Sequence, residues 1–255
     1  NILGTERSIR SFKRKDFRAF VKEHLDTRRI VFSSVGNIPM ENVIRLAEKY
    51  LGPIPVSTSK KKRKRFSGYQ PMEVTLSRPV NQARCAIGRA SYAFTNEKRS
   101  PFYMLTTILG GPGMNSRLNM ALREKHGFVY SIGAQYVPFT DTGLFVITFG
   151  TEPSQLKKGI TLVKQELKKL RDEPLGVKQL ASSKEQILGQ IAMAEENNLN
   201  FMIMMARNLL DQGRVTSLEE IFERVKNTSA LKLQELANEM FKEDRLSYLI
   251  MEPKR

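Results

Sequence analysis

The chain has few of the side chains that bind metals or form disulfides: of its 255 residues, one is cysteine and two are histidine. The single cysteine, Cys85, excludes an internal disulfide framework. It fits an intracellular, reducing compartment and does not exclude a periplasm. Neither His24 nor His126 has a second histidine four residues away, the spacing that helical zinc sites use. We therefore expect no metal site and no cofactor in this chain.

Long apolar segments are also missing. No apolar run reaches the roughly 18 residues that indicate a membrane-spanning helix, and no secretory signal pattern opens the chain. The first residue is Asn1 rather than methionine, so we expect a processed or deliberately cut piece of a longer protein. A chain of this length suits one large domain or one and a half.

Positive charge is in excess: 42 Lys and Arg against 26 Asp and Glu give a formal net charge of +16. Such a charge suggests nucleic acid or an anionic surface as a partner. Much of the excess lies in the run Lys60–Arg65, however, and aromatic residues are not interleaved with basic ones as base stacking requires. We expect a solvated linker and basic helix faces rather than a nucleic-acid partner. Nucleic-acid binding stays an alternative that a steep salt dependence would reveal.

Two segments before the basic run have the spacing of amphipathic helices, Ser11–Leu25 and Met40–Leu51. A strand is predicted between them at Ile30–Val35. The residues predicted to face inward from the first helix are Phe17, Phe20, Val21, His24 and Leu25. The polar and basic segment Ser57–Gly68 is the best candidate for a linker.

After this linker the pattern predicts strands and helices in alternation. The predicted strands are Met72–Leu76, Ala83–Ala93, Phe128–Val137, Leu144–Phe149 and Leu246–Met251. The predicted helices are Pro101–Leu109, Pro153–Leu170, Val177–Ala194, Leu199–Leu210, Leu218–Val225 and Ser229–Phe241. The last helix and strand repeat the apolar spacing of Ser11–Leu25 and Ile30–Val35. Amphipathic helix–strand units are common, so this repeat alone does not establish a duplication.

The stretch Leu109–Thr151 organises the rest of the chain. It predicts a glycine turn in which Gly110, Gly111 and Gly113 can take positive φ, a short helix that Gly127 ends, and two strands. Asn115 or Ser116 can cap the short helix. In the first strand, Tyr130, Ile132, Ala134 and Tyr136 recur at every second position.

The same stretch closely resembles the second, non-metal domain of pitrilysin/insulinase-type zinc peptidases, the family with the inverted H-x-x-E-H motif. Many matches at fixed spacing over about forty residues make the resemblance specific. The matching residues are Gly110-Gly111, Ser116-Arg117-Leu118, Leu122–Lys125 with Gly127, Tyr130-Ser131, Asp141–Gly143, and Gly150-Thr151 with Pro153. Shorter segments elsewhere extend the resemblance over nearly the whole chain.

The resemblance implies an α+β fold, with mainly antiparallel sheets flanked by helices, like that of pitrilysin and mitochondrial processing peptidase. It also implies a domain organisation. Residues 1–56 would be the tail of a first, zinc-type domain, residues 57–68 a basic linker, and residues 69–255 a complete second domain that contacts substrate.

The function implied by the resemblance is that of the carboxy-terminal part of a zinc metalloendopeptidase. Such an enzyme cleaves peptides or unfolded proteins in a chamber between two homologous domains. The zinc would then belong to a missing upstream domain or to a homologous partner subunit, and the chain alone should not hydrolyse peptides. The alternative is a non-catalytic partner subunit that completes the chamber or holds peptide. A homodimer is compatible with either function.

Arg123 and Tyr130 are the candidate catalytic and substrate-binding residues. They match, residue by residue, the Arg and Tyr that family members contribute to the substrate from the second domain. A guanidinium and a phenol are hydrogen-bond donors that can hold and polarise a peptide carbonyl. A structural interpretation is also open, with the Arg paired to a neighbouring Glu and the Tyr half-buried on its strand. Cys85 is expected to be a small buried side chain without an activating partner.

Overall fold

The computed structural model describes residues 2–58 and 64–254, so 59–63, the centre of the predicted basic linker, lie outside the described residues. The helices and strands, in chain order, are α1 Glu6–Ser11, α2 Arg14–His24, α3 Met40–Leu51, β1 Glu73–Arg78, β2 Ala83–Ser91, α4 Arg99–Gly110, β3 Val129–Pro138, β4 Gly143–Thr151, α5 Leu156–Asp172, α6 Val177–Glu195, α7 Asn198–Gln212, α8 Leu218–Lys226, α9 Ala230–Met240 and β5 Ser247–Pro253. None of the described helices combines the length and apolar character needed to cross a lipid bilayer.

The chain divides into two compact units. The first consists of the described residues up to Arg65 together with Asn197–Val215, and the second consists of Phe66–Glu196 with Thr216 onwards. The first boundary falls within the predicted linker. The segment that contains α7 groups with the amino-terminal unit, although it lies within the predicted second domain. The domain limits 1–56, 57–68 and 69–255 remain a prediction.

In the first unit α2, α3 and α7 form where the sequence predicts helices, and α1 is an additional, unpredicted helix. The apolar side of α2 is not buried. Phe17, Phe20 and Val21 of α2 are 62%, 61% and 52% exposed, which contradicts the prediction that they face inward. Residues 30–35 are extended but pair with no strand among the described residues, so the predicted strand is not formed. A strand needs a hydrogen-bonded neighbour and an apolar helix face needs a covering layer, and local spacing supplies neither.

The second unit is built on one five-stranded sheet with the order β1-β5-β2-β4-β3. β2 pairs antiparallel with both β4 and β5, β3 pairs antiparallel with β4, and β1 pairs parallel with β5. All five predicted strands of this region are present. The predicted α+β class with a mainly antiparallel sheet and flanking helices is confirmed.

The core of the second unit lies on one face of this sheet. Alternate strand residues such as Cys85, Ile87 and Ile147 are buried there, as the two-residue period of a strand requires. Side chains of α4, α5 and α9 complete the same apolar cluster. Phe102 of α4 is fully buried at its centre. Within this unit the opposite face, which carries residues such as Thr148, is left open.

The glycine turn after α4 is explained by close packing rather than by positive φ. Gly110, Gly111 and Gly113 do not have positive φ, which corrects the sequence-based expectation. A Cβ on Gly110 would lie 2.7 Å from the backbone nitrogen of Ala134, and one on Gly113 would lie 2.5 Å from Oδ1 of Asn115. The contact at Gly110 involves the backbone of β3, so glycine lets the end of α4 approach that strand, whereas the atom near Gly113 belongs to a side chain that can move.

Candidate functional site

Tyr130 lies at a β-bulge in β3, a strand at the edge of the sheet. Two residues of β3, Tyr130 and Ser131, lie opposite one residue of β4, Gly150. Val129 and Ile132 on either side are buried, whereas Tyr130 is 88% exposed. A regular strand would put Tyr130 on the buried face with Ile132, so the bulge is what brings both bulged residues to the open side. The half-buried tyrosine of the structural interpretation is therefore not observed.

Arg123 lies in a π-helical turn, Asn119–Glu124, between α4 and β3. The fully buried side chains of Leu118 and Leu122 fasten this turn to the core. The Arg123 side chain is 41% exposed, and its Nε lies 3.6 Å from the carboxylate of Glu124. An exposed ion pair of this length contributes about 1 kcal/mol or less, so it does not hold the guanidinium firmly.

Gly127 ends the π-helical turn in the left-handed conformation, with φ of 61°. Its N–H donates to the carbonyl oxygen of Arg123 at 2.9 Å, which confirms the predicted glycine stop. Arg123 thus lies in the last turn before Gly127, and Tyr130 lies at the start of the strand that follows. Among the described residues, no hydrogen bond joins the Arg123 guanidinium to the Tyr130 hydroxyl. The catalytic role of the two residues remains a prediction.

A buried carboxylate fixes the start of the same turn. Glu166 of α5 is 7% exposed and accepts a hydrogen bond of 3.0 Å from Nε of Arg117. Lys169 donates to its other oxygen at 2.6 Å. The positive charges of Arg117 and Lys169 offset the loss of hydration of the Glu166 carboxylate. The contact between Arg117 and Glu166 therefore ties the chain that leads into the turn to α5. The sequence motif includes Arg117, but its partner 49 residues later has no recognisable pattern.

Two neighbouring hollows lie on the open face of the sheet. The first, of about 490 Å³, is lined by residues that include Gln82, Arg84, Ser131 and Thr148. The second, of about 640 Å³, is mainly apolar, and its lining includes Val74, Leu144 and Val146. Both hollows are lined by Ala86 and Leu249, so they adjoin along the strands. Ser131 of the bulge therefore lines the first hollow, and Tyr130 is its covalent neighbour.

The carboxy-terminal end of the predicted linker and the residues just after it border the second hollow. The backbone N–H of Phe66 donates to Oδ2 of Asp141 at 2.7 Å. The Tyr69 hydroxyl lies 3.2 Å from the carbonyl oxygen of Gly88 and 2.8 Å from the Ser247 hydroxyl. These contacts hold the carboxy-terminal end of the linker segment against the sheet.

Cys85 lines the first hollow but its side chain is buried, and neither histidine lines either hollow. Cys85 is 2% exposed, as predicted, and burial, followed by the negative charge of Glu73, raises the pKa of its thiol to about 12. His24 stacks on Phe20 at 4.2 Å and is half-buried, so it is not the core residue that the helical spacing predicts. His126 stacks on Phe128 at 5.2 Å. Within the described residues no three His, Cys, Asp or Glu side chains are grouped as metal ligands, so these residues do not fit a zinc ion.

Comparisons with known proteins agree on one family. Residues 11–187 match the Peptidase M16 inactive domain. The chain is 28% identical over 254 residues to an uncharacterized zinc protease of Bacillus subtilis and 27% identical over 251 residues to one of Rickettsia bellii. In both cases the match includes 98% of this chain and 60% of the relative. The chain thus spans about 60% of the length of these curated relatives.

A solved structure supports the fold independently. The crystal structure of a peptidase M16 inactive domain from Pseudomonas fluorescens superposes with a TM-score of 0.88 at 17% sequence identity, over 99% of this chain and 60% of that one. At this identity the likeness concerns the fold alone. Together with the family match over most of the chain, it confirms the resemblance that the motifs of Leu109–Thr151 indicated. The chain belongs to the peptidase M16 family and carries its inactive domain, the part without the zinc site.

Proposed function

We propose that this chain serves as the substrate-contacting part of a zinc metalloendopeptidase, which encloses peptides or unfolded protein between two homologous domains. In this proposal Arg123 and Tyr130 donate hydrogen bonds to the peptide carbonyl that is being cleaved. The zinc ion belongs to an upstream domain or to a partner subunit. The observation that carries the proposal is the 88% exposure of Tyr130 at a bulge beside a hollow.

The chemistry of the two side chains supports this role. The carbonyl oxygen of a peptide gains negative charge as a nucleophile adds to the carbon, so donors aimed at it bind the transition state more tightly than the ground state. A guanidinium keeps its positive charge at every physiological pH, and a phenol donates one short hydrogen bond. The weak ion pair with Glu124 leaves most donors of Arg123 available to a substrate.

The test is to replace each donor in the complete enzyme, or in this chain reconstituted with its partner. Tyr130→Phe and Arg123→Ala should each lower peptide turnover about 10²-fold, the effect of one oxyanion-type donor. The melting temperature should change by less than about 2 °C, because both side chains lie at the surface. Peptide hydrolysis and thermal unfolding are measured on the same samples.

Matched controls separate donation from general surface effects. Tyr103→Phe removes a hydroxyl from a half-exposed tyrosine of α4, and Lys125→Ala removes a cation from the turn that carries Arg123. Neither control should change turnover by more than about twofold. Unchanged turnover in both Arg123→Ala and Tyr130→Phe would refute the catalytic role and favour a non-catalytic partner subunit.

A further inference from the structure

Arg84 is an exposed cation on the open face of the sheet. In the strand register it lies between Met251 of β5 and Gly150 of β4. Its guanidinium has no hydrogen bond or ion pair with any residue in the described ranges 2–58 and 64–254. Arg84 nevertheless lines a hollow of about 490 Å³ rather than a convex surface. An arginine in such a place can bind an anion from outside the unit, since its planar fork of donors matches a carboxylate.

The other polar groups of this hollow are compatible with an anion. Gln82, Ser131 and Thr148 supply an amide and two hydroxyl groups, all of which can donate hydrogen bonds. None of the described residues that line the hollow is Asp or Glu. The lining therefore combines one positive charge with neutral donors, which is the charge complement of a carboxylate.

Gly150 leaves the space between Arg84 and the bulge clear. It is the residue of β4 directly opposite Arg84 on one side and the Tyr130–Ser131 bulge on the other. Two strand spacings separate Arg84 from the bulge, roughly 10 Å. A Cβ on Gly150 would have its nearest neighbours at 3.7 Å and 3.9 Å, so packing within the unit does not require glycine there.

Gly88 of β2 provides the contrast. A Cβ at Gly88 would lie 2.4 Å from the carbonyl oxygen of Phe145, so its lack of a side chain is explained by the backbone alone. At Gly150 the surrounding backbone leaves room for a side chain, so close packing does not explain the glycine. Glycine in the interior of a strand also weakens it, so its presence here needs another reason. The lack of a side chain at Gly150 therefore leaves space between Arg84 and Tyr130 for a ligand that approaches from outside the unit.

We propose that the hollow beside Arg84 binds an acidic side chain of the peptide substrate, with the Arg84 guanidinium as its counter-ion, and that the peptide crosses Gly150 toward Tyr130. This inference rests on the proposed function and adds a substrate class to it. The hollow continues past Ala86 and Leu249 into the apolar one, so a bound peptide can extend in that direction. An acidic side chain with an apolar side chain nearby fits this surface better than a terminal carboxylate.

The experiment compares two fluorescein-labelled peptides with amidated carboxyl termini, identical except that a central Glu next to Leu is replaced by Gln. Binding to the full 255-residue chain is measured by fluorescence anisotropy at low salt. The Glu peptide should bind about tenfold more tightly, the effect of one charge-assisted hydrogen bond. Arg84→Gln should abolish this difference. The matched control is Arg78→Gln on β1, another exposed arginine, which should keep the difference.

Gly150→Val provides an independent arm. Valine favours strands, and a Cβ at this position comes no closer than 3.7 Å to another atom of the unit, so the variant should keep its melting temperature and near-UV spectrum. Its side chain would occupy the path to the bulge, so both peptides should bind at least tenfold more weakly. If valine prevents folding, Gly150→Ala replaces it, with a smaller loss of binding in the same direction.

Each outcome bears on the inference. Equal binding of the two peptides, an unchanged preference in Arg84→Gln, or full binding by folded Gly150→Val would overturn it while leaving the proposed function in place. A preference that appears only when the peptide has a free carboxyl terminus would overturn the assignment to an acidic side chain. Absence of binding by either peptide would refute the proposed peptide contact itself, and this inference with it.

Discussion

The replacement of Phe102 by alanine is expected to destabilise the second unit far more than the same change at the next residue. Phe102 is fully buried, and its ring lies 5.3 Å from that of Tyr92, 5.0 Å from that of Tyr136, 5.6 Å from that of Phe145 and 6.1 Å from that of Phe241. Loss of a buried phenylalanine side chain costs about 3–5 kcal/mol. Alanine regains roughly 0.5 kcal/mol of helix propensity. The free energy of unfolding should therefore fall by about 2.5–4.5 kcal/mol.

Tyr103→Ala is the matched control, because it lies on the same helix and gains the same propensity. Tyr103 is 51% exposed, so its partial burial contributes about 1 kcal/mol, and the net loss should be about 0.5 kcal/mol. Urea unfolding of the full chain measures both changes. Near-UV circular dichroism follows the packed tyrosines, since the chain has no tryptophan. A difference between the two variants below about 1 kcal/mol would refute the assignment of Phe102 to the centre of the core.

Two further predictions concern glycine packing and alkaline pH. Gly110→Ala should lower the free energy of unfolding by about 2 kcal/mol because its Cβ would meet Ala134, whereas Gly189→Ala, with open space in α6, should raise it by about 0.5–1 kcal/mol. Urea midpoints that move in the same direction would contradict this. The pKa of the Cys85 thiol is raised from 9.0 to about 12, so the unfolded chain loses this proton first and stability should fall as the pH rises from about 9 to about 12. The free energy of unfolding, measured over this pH range, should decline less steeply in Cys85→Ala than in the unchanged chain. An equally steep decline in the two proteins would count against the burial of the thiol.

The secondary structure of the second unit could be predicted from sequence because it depends on near neighbours. The strands and helices from Glu73 to Pro253 follow the two-residue and 3.6-residue periods of the apolar side chains. The family could also be recognised, because the motif residues of Leu109–Thr151 keep fixed spacing. Arg123 and Tyr130 became candidates through that recognition and not through any property of their own pattern.

Burial could not be predicted in the same way. α2 and α9 have the same apolar spacing, yet Leu233, Leu236 and Ala237 are at most 1% exposed whereas Phe17 and Phe20 are more than half exposed. The spacing determines which side of a helix is apolar. Whether that side is covered depends on distant segments that pack against it. Of these two helices, only α9 contributes side chains to the buried apolar cluster of the described residues.

The candidate site depends on tertiary structure even more strongly. The amino-acid sequence by itself determined that Tyr130 belongs to a strand, and the period of two would have buried it beside Ile132. Only the pairing of β3 with β4 decided otherwise, because the bulge opposite Gly150 turns Tyr130 outward. That pairing, together with the pairing of β2 with β4, brings Arg84, Gly150 and Ser131 from three strands to one open surface. Neighbours along a chain fix its periodicity, but register arises from hydrogen bonds between strands that are far apart in sequence.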